Sequence, residues 1–200
     1  MNASATSGPL GRIVAALGLM ALLCSCPQTE VDADFGEAAA LLKSADWAGT
    51  WEVLGEDEQG RMEVNNASAG ELSFVGLDQA GKPKEKPSRL RLRLVPASKK
   101  QASGAEVFFA LMSEVEKGRE RFTPYLMRLQ PGRLLLWNLR HEAVADAIRG
   151  GVLRGRLTRI KDGDEHSWLE SCSANSRELT DPKYWDWMEP VILRRLPPAR

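Results

Sequence analysis

Histidine, cysteine and net charge are what this chain has least of. Its 200 residues include two histidines and three cysteines, and 27 basic side chains balance 27 acidic ones. Zero net charge removes any global attraction to nucleic acid or to an anionic bilayer. His141 and His166 are too few to build a metal site on their own. There is no Gly-x-Ser-x-Gly, no phosphate-cradling glycine loop and no His-Glu-x-x-His. Asp162-Gly163-Asp164 opens like a calcium loop but lacks the remaining ligands, so it reads as a hairpin turn. The N-terminal apolar run, 13–23, has only 11 residues and is interrupted by Gly18. A bilayer takes ~20 apolar residues to span. These absences point away from nucleic-acid binding and from recognisable enzymology, and no cofactor is implied.

The same short run suits the core of an export signal, with Arg12 before it and Leu23-Cys24-Ser25-Cys26 closing it. Leu23 at −3, Ser25 at −1 and Cys26 at +1 resemble the bacterial lipobox. That resemblance implies a signal peptide over 1–25, acylation of Cys26 by diacylglycerol and palmitate, and attachment to the cell envelope through lipid. Two or more chains hold a protein at a bilayer where one does so only marginally. Pro27, rather than Asp, follows the cysteine, which by analogy with enteric bacteria points to the outer rather than the inner membrane. On this reading Cys24 leaves with the signal and Cys26 is consumed, so Cys172 has no partner and is a small packing residue. The acidic, weakly apolar stretch 26–36 then reads as acylated cysteine plus tether, and 37–200 as one domain.

Charge is unevenly distributed. Residues 27–78 carry 12 acidic and 2 basic side chains, and residues 79–133 carry 13 basic and 5 acidic. Either the two stretches attract each other across a folded sheet, or the basic segment 82–100 offers a face to an acidic partner, with Arg89, Arg91 and Arg93 at its centre.

Periodicity indicates a mainly β (α+β) protein. Arg89-Leu90-Arg91-Leu92-Arg93-Leu94 alternates strictly, putting three leucines on one face and three arginines on the other. Strands are expected over 47–54, 61–65, 71–77, 121–129, 133–139, 152–160, 167–171 and 191–196, with Gln130-Pro131-Gly132 as an explicit hairpin turn. The segment 105–116 is ambiguous, but Val107, Phe109 and Leu111 fit one strand face with Phe108 on the other. Short helices are expected over 37–43, 141–149 and near 176–179. Strands at this spacing indicate an antiparallel sheet curled into a barrel or half-barrel, with short helices capping an end.

Gly49-Thr50-Trp51, after a short helical turn, resembles the Gly-x-Trp that opens the lipocalins. The family's second motif, Thr-Asp-Tyr, is absent. The resemblance implies a barrel whose floor is closed by Trp51 beneath an arginine of the last strand, Arg194 or Arg195. It also implies a small apolar ligand inside. The chain has six tryptophans. Trp51, Trp137 and Trp168 are the candidates to line such a pocket. The expected function is therefore binding: of an apolar small molecule in the barrel, or of an acidic envelope protein on the arginine face.

Overall fold

The computed structural model describes residues 29–36, 47–54, 60–68, 70–78, 80–84, 87–95, 107–116, 119–159 and 165–197. The signal, Cys26, the helix expected over 37–43 and the turn at 161–164 lie outside them. Eleven strands are described: β1 (Thr29–Val31), β2 (Gly49–Leu54), β3 (Arg61–Ser68), β4 (Glu71–Leu77), β5 (Ser88–Leu94), β6 (Val107–Glu116), β7 (Arg119–Gln130), β8 (Arg133–Trp137), β9 (Gly155–Arg159), β10 (Glu165–Leu169) and β11 (Val191–Arg195). Two α-helices, α1 (His141–Arg149) and α2 (Ser173–Glu178), and a 3₁₀ turn (Pro182–Tyr184) accompany them.

Eight strands close on themselves. The ring runs β2-β3-β4-β5-β6-β7-β8-β11 and returns to β2, with every neighbouring pair antiparallel. Each strand of the ring pairs with the next in the chain, except that α1, β9, β10, α2 and the 3₁₀ turn are inserted between β8 and β11. Closure removes the exposed edges that an open sheet would leave. β5 behaves as its alternation requires: Leu90 and Leu92 are buried inside, and Arg91 and Arg93 point outward. The turn at 130–133 is the predicted hairpin, with Gly132 in the left-handed region at φ 71°.

The ambiguity of 105–116 has a physical cause. Phe108, Ala110 and Met112 face the barrel interior, while Phe109 and Leu111 face outward into a second hydrophobic core. β7 divides the same way, with Tyr125 and Met127 inside and Phe122 and Leu126 outside. On β8, Leu134 and Leu136 point in and Trp137 points out. Strands covered on both faces read as continuous apolar runs, so the period-2 signal vanishes where it is most often sought.

The second layer is built by the insertion together with the N-terminal segment. β1 pairs in parallel with β10 and touches β7 at Val31↔Phe122, and β10 pairs with β9. Pro124 sits in β7 between the residue that pairs with β1 and those that pair with β8, where the loss of a backbone donor costs least. The segment expected as a tether is different in its larger part. Thr29–Val31 is a strand, and Val31 and Phe35 are buried, Phe35 lying 5.7 Å from the Phe109 ring. Two apolar side chains in an acidic context suffice because the second core receives both.

The charge asymmetry is resolved within the fold. Asp34 accepts from Arg93 Nε (2.8 Å) and Nη2 and from Arg91 Nη1 (3.3 Å). Arg91 also donates to Glu120 (2.8 Å), Arg89 lies 3.6 Å from Glu71, and Arg121 lies 3.4 Å from the buried Glu30. The acidic stretch and the basic stretch meet across the outside of the barrel.

Candidate functional site

One end of the barrel is closed by aromatic side chains. Trp47 and Trp51 are fully buried, Trp51 Nε1 donates to the Trp47 carbonyl (2.9 Å), and Trp47 meets Phe108 edge-on at 6.2 Å. Gly49 has φ +135°, and a Cβ there would lie 3.4 Å from Arg195 Nε. Arg195 lies across this turn and donates to the Ala48 carbonyl. The glycine of Gly49-Thr50-Trp51 is thus required by its backbone conformation, while the arginine over it stands at ordinary contact distance. Of the two candidate arginines it is Arg195 that crosses the motif, whereas Arg194 pairs with the buried Glu52 opposite it.

Beyond this floor the interior is incompletely filled. A small cavity of about 40 Å³, open toward solvent, is walled by residues of β3 to β8 and β11. Met62, Val64, Leu72, Leu90 and Met112 supply aliphatic wall, and Tyr125 contributes the ring. Eight-stranded barrels sit at the size where side chains either fill the interior or leave room for one small ligand. A cavity lined this way gains nothing from water, and apolar cavities stay dry and accept apolar guests. Transfer of a guest from water stabilises the complex by about 0.8 kcal/mol per methylene.

The three tryptophans proposed as pocket residues do not meet. Trp51 is in the floor. Trp137 points out of the barrel into the second core and lies 5.0 Å from Trp187. Trp168 stands on β10 with Arg121 at 4.9 Å and Arg156 at 5.3 Å over its ring. The correction is one of wall geometry: a tryptophan on a barrel strand faces the lumen or the outer layer according to its register, and its identity is silent on which. The actual wall is made mostly of Met, Val and Leu, with Phe74 and Tyr125, and their only signal in the sequence is strand alternation. The arginines of the proposed docking face differ as well. Arg91 and Arg93 are held by Asp34, Glu71 and Glu120, and only Arg89 is largely exposed.

Both histidines belong to the second layer. Thr29 Oγ1 and Ser167 Oγ each lie 3.4 Å from His141 Nδ1 at the start of α1. Burial, and then the neighbouring His166, push the His141 pKa below its ordinary value. His166 Nε2 lies 3.4 Å from Glu30. Among the described residues no group of three or more histidine, cysteine or acidic side chains is placed to hold a metal ion, and no helix is long and apolar enough to cross a membrane. No family model, no curated protein and no solved structure matches this chain.

Proposed function

We propose that this protein is a lipid-anchored component of a bacterial cell envelope, on the outer membrane, whose barrel binds a small apolar ligand. The observation that carries the reading is the apolar cavity above a tryptophan-sealed floor in a closed eight-stranded barrel. The N-terminal lipobox supports the anchor and gives the cavity its context. Only Pro27 and Gln28 separate Cys26 from β1. At ~3.4 Å per residue, acylation would hold the start of the fold within roughly 10 Å of the bilayer surface. A barrel held there samples apolar molecules where they are most concentrated.

Two experiments test the two parts separately. Growth on labelled palmitate labels the wild-type protein and leaves Cys26→Ser unlabelled; equal labelling of both removes the anchor. Binding of N-phenyl-1-naphthylamine to the unacylated Cys26→Ser protein, read by fluorescence, falls at least tenfold when Val64→Phe or Leu90→Phe fills the cavity. Unchanged affinity in both filled variants removes the ligand site.

A further inference from the structure

Closure of the barrel leaves one free strand edge among the described residues. The sheet continues from β7 through β1 and β10 and ends at β9, whose far side no described strand covers. The direction of its backbone groups follows from the ladder. Glu170 N donates to Arg154 O, so residues 154 and 170 form a hydrogen-bonded pair. Such pairs alternate along an antiparallel ladder, which makes Arg156↔Trp168 and Thr158↔His166 hydrogen-bonded pairs too. Gly155, Leu157 and Arg159 therefore turn their N–H and C=O groups away from β10. Asp32 N donating to Leu169 O, on the β1 side of β10, shows the same alternation from the other edge.

Side chains along this edge differ by face. Arg154 and Arg156 share the outer face with Trp168, whose ring is flanked by Arg156 and Arg121. Gly155 and Leu157 lie on the opposite face beneath α1, where Ile148 is within reach of Gly155. Among the described residues no carboxylate pairs with Arg154 or Arg156, whereas Arg149 on α1 is held by Asp146 and Glu165. A second β9 would add its own arginines to an edge that is already basic, and like charges on adjacent strands are destabilising.

We propose that β9 takes up an extended segment of another protein as an added strand, and that this segment alternates acidic residues, over Arg154 and Arg156, with apolar residues, beside Leu157 and under α1. Main-chain hydrogen bonds to Gly155, Leu157 and Arg159 supply affinity, and the arginines select the sequence. The acidic partner expected from the charge distribution is thereby assigned to β9 rather than to the arginines of β5, which are already paired.

The probe is an end-blocked eight-residue peptide alternating Glu and Val, titrated into the full chain and followed by backbone amide shifts and hydrogen exchange. The Gly155, Leu157 and Arg159 amides shift and become protected, and the effect weakens with salt. Methylating alternate peptide nitrogens abolishes it. The double variant Arg154→Glu/Arg156→Glu weakens binding at least tenfold and gains affinity for a Lys-Val peptide, the same sequence with Lys in place of each Glu. Leu157→Pro, whose lost N–H points away from β10, abolishes binding while the β9–β10 amides keep their protection. Equal binding of the methylated peptide, equal binding of the Lys-Val peptide to the unaltered chain, or self-association through β9 in sedimentation would each overturn the proposal.

Discussion

Truncating Phe109 to alanine tests whether the barrel wall is covered from outside. Phe109 is fully buried, yet it faces away from the barrel interior, stacked 6.0 Å from Trp185 and tilted 5.7 Å from Phe35. Removing a buried phenylalanine side chain costs about 3–5 kcal/mol through lost transfer and the cavity left behind. Two aromatic contacts keep the expected loss off the lower end of that range, at about 4 kcal/mol. At 2–4 °C per kcal/mol for a domain of this size, the thermal midpoint falls by about 8–16 °C. Urea unfolding followed by tryptophan fluorescence is the assay. With m near 2 kcal/mol/M the midpoint moves down by about 2 M, and m itself stays constant if the unfolding remains two-state. A phenylalanine on a solvent-facing barrel wall would change stability by no more than about 0.5 kcal/mol. A measured loss below 1 kcal/mol would refute the two-layer arrangement.

Two further outcomes follow from the ion pairs and the histidines. Asp34→Ala leaves Arg91 and Arg93 without their shared carboxylate. Because the Arg93 side chain is only 12% exposed, a loss of about 1–3 kcal/mol is expected in the same urea assay, larger than for an open surface pair. Equal stability of Asp34→Ala and wild type would show that Asp34 does not hold the N-terminal segment on the barrel. His141 titrates lower in the folded protein than in the unfolded chain, since burial and His166 oppose its protonation. The unfolded chain then binds the extra proton first. His141 therefore contributes stability that is complete above its ordinary pKa of 6.5 and is lost as pH falls from there through the depressed folded value. Unfolding midpoints between pH 7.5 and 5 should decline less in His141→Gln than in wild type, and parallel declines would exclude His141 as the source.

Legibility in the sequence tracked the number of layers touching each element. β5 was visible because one face meets the interior and the other meets charges, so Leu90 and Leu92 alternate with Arg91 and Arg93. α1 was visible because Val144 and Ala145 are buried on one side of a helix that stops at Gly150. β7 and β8 are legible through the Gln130-Pro131-Gly132 turn between them, whereas β6 is ambiguous, since Phe109 and Leu111 are buried against elements that lie tens of residues away in the chain. The N-terminal segment was misread for the same reason. Val31 and Phe35 are isolated apolar residues among acids, and their partners Phe122, Leu169 and Phe109 become neighbours only after the barrel and its insertion have formed. The aromatic floor was partly foreseen at Trp51. The cavity was not locatable, because empty space arises from side chains of seven strands failing to meet, and no local pattern encodes that.

The claim that this barrel is a binding site is tested most directly at the methionine methyl groups. Met62 and Met112 line the cavity, Met127 lies buried near the floor, and Met188 is on the surface at 89% exposure. Methyl-labelled methionine spectra of the full chain, recorded while octanol is added, report each position separately. The account predicts saturable shifts of Met62 and Met112, a smaller response from Met127, and none from Met188. Shifts confined to Met188, or Met62 and Met112 signals that stay fixed at saturating octanol, would contradict it.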